Sequence, residues 1–322
     1  DSIEAFLDWK TIPLGEEDLR EPVSRGDYAE LAAALTAMEW GSNLDSYLLI
    51  TACRGDETLT RLDVGVKLGI IRGREDGELY PNDHITRQEA AVMLARTYRL
   101  YHAVPAEASA HLSFRDQGEI ADWAREDVQL MVSLGVLKGK EDNHFDPLGD
   151  FTKEQYLATL VRLDAVPPDS GKLDDPFRLT PDPGFVRIWE RESQLCFALE
   201  TEEFFVCARE PVPSSAEGVI GNLDYCIQIT DRKGSLGTYP TPILQSASSR
   251  GEIHARPENP SLSPDGSTLY YTATLTGDAY RTYYDENANA VEELIFPKGV
   301  YTVTVDLASG VQTYTRGDLP ST

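Results

Sequence analysis

Three related stretches of the chain each place a cation directly after a hydroxyl residue: Ser24-Arg25, Thr86-Arg87 and Thr152-Lys153. The second case reads Thr86-Arg87-Gln88-Glu89, a hydroxyl and a carboxylate three residues apart just before an apolar run. That is a capping-box pattern: the Thr86 hydroxyl accepts from the Glu89 amide, and the Glu89 carboxylate accepts from the Thr86 amide. A cation inside such a box sits at the positive end of the helix and gains nothing from the dipole. Arg87 is then either an indifferent surface residue or one placed to meet an anion.

No other grouping points to reaction chemistry. The chain lacks H-E-x-x-H, G-x-S-x-G, a Walker loop and a dinucleotide fingerprint. The 5 histidines are scattered and no Cys/His spacing suits zinc. The acidic stretch GREDGELYPND lacks the alternating oxygen ligands of a calcium loop. We therefore expect no catalysis, no cofactor and no metal. With 29 basic against 54 acidic residues the formal charge is -25, which argues against a nucleic-acid backbone as partner. The longest apolar runs are too short to span a membrane. The chain begins at Asp1, and an export segment is expected to have been trimmed ahead of it.

The elements that would position the three cations are repeated. LGIIRGREDGELYPNDHITRQEA from Leu68 aligns without a gap on LGVLKGKEDNHFDPLGDFTKEQY from Leu134. Gly69 matches Gly135, Gly73 matches Gly139, and Thr86-Arg87 matches Thr152-Lys153. A weaker copy, VSRGDYAELAAAL, carries Ser24-Arg25. Counted from each cap, positions +4, +7, +8 and +11 trace one helix face: Tyr28, Leu31, Ala32, Leu35; Ala90, Met93, Leu94, Thr97; Tyr156, Thr159, Leu160, Leu163. A second helix precedes the glycine turn, with Ile120, Trp123, Ala124, Val128 and Met131 expected inward, and Gly135 as its left-handed cap.

A hydrophobic helix, then L-G-[IV]-x-x-G, an acidic stretch with an aromatic and a proline, then [ST]-R-x-E, resembles the S-layer homology domain. FRDQGEIADWAREDVQLMVSLGVLKG with FDPLGDFTKEQY resembles it over a whole repeat. The resemblance implies a three-pronged helical spindle over residues 1–166, with repeats at about 1–52, 53–108 and 109–166. It further implies non-covalent attachment to secondary cell-wall polysaccharide of Gram-positive bacteria, often bearing pyruvate ketals, and an extracellular, wall-bound place. A ketal carboxylate at a helix start would then meet free amides, the dipole and a guanidinium fork together. Carried over, the helix-start cations are Arg25, Arg87 and Lys153, and the turn glycines are Gly69, Gly73, Gly135 and Gly139. Trp123 is either core or a sugar platform; one repeat earlier its place is taken by Glu57. On this reading Arg87→Ala weakens binding and leaves folding almost unchanged. A scaffold or protein-interaction module of degenerate repeats is the rival.

From Val166 the texture changes. Residues 167–184 read as a proline-rich linker, and 185–322 as β structure rich in Tyr, Thr and Val. SPDGSTLYYT with YTVTVDLASGVQTYT resembles one blade of a TolB-like propeller. About 140 residues cannot close a propeller, so the fold class expected is α+β and multidomain: the helical triplet, then an antiparallel sandwich or meander. Its role is open, a carbohydrate-binding or sensor unit being one reading. A turn at Thr201-Glu202 would set Cys196 opposite Cys207, where a cross-strand disulfide and two buried thiols both fit.

Overall fold

The computed structural model describes residues 19–40, 42–55, 59–100, 102, 111–166, 176–190, 193–210, 225–231, 236–240, 256–275, 277–284 and 290–317. Glu57 and residues 167–175 of the proline-rich segment lie outside the described residues. The chain forms two compact units, one of Asp1–Leu44 with Thr58–Arg178, the other of Asp45–Glu57 with Leu179–Thr322. The helices are α1 (Arg25–Glu39), α2 (Leu44–Arg54), α3 (Arg61–Lys67), α4 (Arg87–Arg99), α5 (Asp122–Ser133) and α6 (Lys153–Asp164). The α+β architecture expected from the sequence is therefore present, helices first and antiparallel sheets after.

In the helical unit, α1, α4 and α6 begin at the caps Ser24, Thr86 and Thr152, each accepting from the amide three residues on. Both halves of the box form at Thr86. The residues just before the caps close a ring. Val23 donates its amide to Phe151 O (2.9 Å), Phe151 to Ile85 O (3.0 Å), and Ile85 to Val23 O (3.1 Å). Three equivalent segments thus satisfy one another in a cycle, which buries their backbone without leaving an orphan at either end. Inside, the cap+4 positions meet: the Tyr28 and Tyr156 rings stack at 4.2 Å, the Tyr156 hydroxyl donates to Tyr28 O, and the Tyr28 hydroxyl donates to Ala90 O. Of the twelve stripe positions only Leu31 and Leu35 escape full burial.

The second unit is built on two sheets. The first runs β1-β2-β3-β4-β5, with β1 Val186–Ile188, β2 Leu195–Glu200, β3 Phe204–Arg209, β4 Cys226–Asp231 and β5 Leu236–Pro240. The second runs β11-β10-β7-β6, with β6 Pro257–Leu262, β7 Thr268–Leu275, β10 Gly299–Asp306 and β11 Gln312–Gly317. A separate hairpin pairs β8 (Ala279–Tyr284) with β9 (Ala290–Phe296). On β7 and β10 alternate residues Leu269, Tyr271, Ala273 and Tyr301, Val303, Val305 turn inward. They pack against Phe197, Leu199, Val206, Ile227 and Ile229 of the first sheet, which makes the unit a sandwich.

The other face of the first sheet is covered by α2. Ile50 and Cys53 of α2 pack with Ala198, Phe205 and Cys207. This is why β2 and β3 are buried on both faces and read as continuous apolar runs. The Arg187 guanidinium donates to Cys53 O and Gly55 O at the negative end of the helix.

Of the two arrangements open for Cys196 and Cys207, the structure has the two buried thiols and not the cross-strand disulfide. Both residues are free thiols: the register set at the turn places Ala198 opposite Cys207, and a bulge between Leu195 and Phe197 leaves Cys196 without a cross-strand partner. Cys196 and Phe197 then both serve the sandwich core, while Cys207 lies on the α2 side. A cross-strand pair would have to pass through the sheet.

Candidate functional site

Arg25 and Arg87 do not stand free at their helix starts; they are 6% and 5% exposed. Arg25 reaches into the next repeat, donating to Arg72 O (3.0 Å), to Leu79 O (3.0 Å) and to the Glu89 carboxylate (2.8 Å). Arg87 repeats the move into the following repeat, donating to Lys138 O, 66 residues after Arg72, and to Gln155 Oε1 (3.0 Å). Its guanidinium also lies 5.1 Å from the Phe145 ring and 5.7 Å from the Phe151 ring. Burial pulls the Arg87 pKa down from the ordinary guanidinium value, with Asp146 acting the other way. Lys153 is less enclosed and pairs with Glu21 at 3.1 Å. Two of the three cap cations are therefore cross-repeat staples, contrary to the expectation of free guanidinium forks.

The amides expected to receive an anion are also taken. Arg25 N donates to Asp83 O, Arg87 N to Gly149 O and Lys153 N to Glu21 O, at 2.9–3.0 Å. The next amides, of Gly26 and Gln88, donate to Pro81 O and Pro147 O, and the third in each helix meets its cap hydroxyl. A helix start attracts anions through unsatisfied N–H groups. Here neighbouring carbonyls occupy them.

The glycine turns are shaped by backbone need. Gly69 and Gly135 take φ of +72° and +71°, the left-handed conformation that ends α3 and α5. Gly69 N donates to Val66 O and Ile70 N to Gly65 O, a Schellman pair. Gly139 faces the Phe114 ring, 2.6 Å from where a Cβ would sit. At Gly73 a Cβ would lie 2.2 Å from Gly77 O, against backbone that cannot swing aside. Gly73→Ala should therefore cost about 2–3 kcal/mol, in the range of strained backbone and overpacked sites. A melt within experimental error of the parent would show that the turn can open. Each turn is held from a second side as well, by Arg96 on Ile70 O and Arg162 on Val136 O.

Trp123 departs from its place in the inward stripe. It stands on the first turn of α5 and is 60% exposed, while its stripe partners Ile120, Ala124, Val128 and Met131 are buried. The Ala121 amide just before it donates to the Gln88 side chain, which places this helix start beside that of α4. Among the described residues no group of three or more His, Cys, Asp or Glu is placed to hold a metal ion, and no helix is long and apolar enough to cross a membrane.

This arrangement has relatives. The sequence model of the S-layer homology domain matches residues 65–91 and 113–157. The chain carries S-layer homology repeats. Exoglucanase XynX of Acetivibrio thermocellus is 34% identical over 110 residues, 34% of this chain and 10% of that protein. The surface-layer 125 kDa protein of Lysinibacillus sphaericus is 31% identical over 110 residues, 32% of this chain and 9% of its own length. The chain thus spans a tenth or less of the length of these relatives. A solved structure, the undecaheme cytochrome from the S-layer of Carboxydothermus ferrireducens, aligns over 92% of this chain and 41% of its own at 9% identity and a TM-score of 0.29, too remote to carry an argument. S-layer homology domains are cell-surface anchoring modules, and that coarse role applies to the repeats here.

The residues that face solvent on the S-layer homology turns are others than the cap cations. Arg72 and Arg74 on one turn, and Lys138 and Lys140 on the next, are exposed. Arg74 bonds Asp83, and Lys140 bonds Asp146. These cations occupy equal positions at the 66-residue offset, as do Arg96 and Arg162. That recurrence is the signal the sequence carries for them.

Proposed function

We propose that the S-layer homology repeats hold this chain on the cell surface by binding an anionic secondary polysaccharide of the wall, one bearing carboxylates such as pyruvate ketals. The observation that carries the reading is the recurrence of an exposed cation, Arg72 and then Lys138, on turns whose backbone is fixed by the buried cap cation of the preceding repeat. A cation carried on a fixed backbone loses less freedom on binding than one carried on a mobile loop. The net charge of -25 does not oppose this, since charges farther away than a Debye length of about 8 Å are largely screened. The exposed indole of Trp123 offers an apolar face for a sugar ring. The relative named for glucanase activity extends far beyond the stretch matched here, and no catalysis is proposed for this chain.

The test is sedimentation of the full-length protein with purified walls, before and after their secondary polymer is removed. Binding should vanish with the polymer. Charge-assisted contacts of roughly 1.5–3 kcal/mol correspond to about tenfold to a hundredfold in affinity. We expect at least a tenfold loss in the double variant Arg72→Ala/Lys138→Ala, and a loss of similar size in Trp123→Ala. Melts should not move, because these side chains are exposed. Undiminished binding to stripped walls would reject a polysaccharide ligand and leave a protein-interaction scaffold.

A further inference from the structure

We propose that Cys53 and Cys207 form a disulfide in the exported protein, fastening α2 to the first sheet of the β unit. The proposal rests on the cell-surface placement of the repeats, though not on their ligand. The two thiols are fully buried, belong to α2 and β3, and lie 154 residues apart in sequence with their sulfurs 3.7 Å apart. A disulfide bond is about 2.05 Å long, so the sulfurs have less than 2 Å to close. The other two cysteines offer no competing partner at this place. Cys196 is on the opposite face of the sheet, and Cys226 pairs with Arg209 in the register. Around the pair, Ile50, Ala198, Phe205 and the partly buried Phe185 and Trp189 form an apolar cluster that would shield the bond from reductants.

The oxidant is a disulfide, carried by a thiol oxidase of the cell envelope or by a small molecule. One cysteine thiolate attacks it, forming a mixed disulfide and releasing the first acceptor thiol. The second cysteine displaces the second acceptor thiol and closes the Cys53–Cys207 bond. Two S–H bonds are lost, and two protons and two electrons reduce the acceptor. The contact with Cys53 and burial hold the Cys207 thiol well above its ordinary pKa once folded. Because the thiolate is the attacking species, exchange belongs to the stage before α2 docks. In a reducing compartment the two groups remain thiols.

The full-length protein is unfolded, refolded in a mixture of oxidised and reduced glutathione, alkylated in denaturant without reduction, and mapped by mass spectrometry. The expected map joins the Cys53 peptide to the Cys207 peptide, with Cys196 and Cys226 alkylated. Reductant should then lower the melting midpoint of the β unit by roughly 5–15 °C, the range for losing one disulfide in a unit of this size. The Cys53→Ala/Cys207→Ala protein should melt alike with and without reductant. Alkylated Cys53 and Cys207 in protein that has folded under oxidising conditions would overturn the proposal, as would a Cys196–Cys207 link. Wall sedimentation in parallel separates the two readings. Free thiols with wall binding intact reject the disulfide alone, and an intact bond without wall binding rejects the anchor alone.

Discussion

Arg87→Ala should destabilise the helical unit by about 3–5 kcal/mol, the sum expected for buried bonds to a charged donor and a desolvated cation–π contact. Truncation removes the donors to Lys138 O and Gln155 Oε1, and takes a cation from beside Phe145 and Phe151. The half-buried Lys138 carbonyl loses that donor, and a cavity opens where the side chain lay. In a unit of this size the melting midpoint should fall by roughly 10 °C. Wall binding should return when the variant is assayed well below its midpoint, since Arg87 is buried and turned to partners within the unit. Arg87→Lys should recover part of the stability, because one donor survives while the planar fork does not. A variant that melts like the parent and yet has lost binding would restore Arg87 to the role of ligand contact. The variant pair thus distinguishes a staple from a receptor.

A second large effect is expected where α2 meets β2. Glu200 is 1% exposed, and Arg54 donates Nη2 to both of its oxygens at 2.6 Å and Nε at 3.1 Å. Asp182 N adds a bond at 3.1 Å. Arg54→Ala takes away the counter-charge and leaves a carboxylate in the interior, which typically costs about 3–5 kcal/mol. The same variant in a Glu200→Gln background should cost much less, as a neutral amide tolerates burial better than an ion. A double-mutant cycle on the two positions measures the coupling directly. Additive effects of below about 1 kcal/mol would mean that α2 is held by its apolar face alone. The measurement bears on dissection of the protein as well. A fragment starting at residue 185 would lack α2 and expose Phe205 and Cys207, so full-length variants are the sounder probes.

The sequence by itself determined the features that depend on neighbours a few residues away. The caps Ser24, Thr86 and Thr152 announce their helices, because a hydroxyl satisfies an amide three residues on whatever the rest of the chain does. The inward stripe of α1, α4 and α6 follows from the 3.6-residue period. Gly69 and Gly135 follow from the positive φ that ends a helix. β7, β10 and β11 were readable from their Tyr, Thr and Val content. β6 was not, since its two prolines and the bulge between Glu258 and Ser261 disguise an edge strand that needs few ladder bonds. The S-layer homology resemblance was legible because its motifs recur at a fixed spacing.

The tertiary structure alone decided where the polar groups point. Arg25 and Arg87 carry the same local code as a surface cation at a helix start. Their burial depends on carbonyls 47 and 51 residues away, at Arg72 and Lys138. Trp123 satisfies the helical period and is nevertheless exposed, although Ala124 beside it is buried. An amphipathic period also does not say which unit a helix will cover. α2 lies early in the chain, between α1 and α3, yet its apolar face closes the outer side of a sheet formed by residues far downstream. Cys196 likewise was turned to the sandwich face by a single bulge in β2. A shift of one position in a pleat of period two reverses every side chain beyond it, and no local pattern in the sequence records that shift.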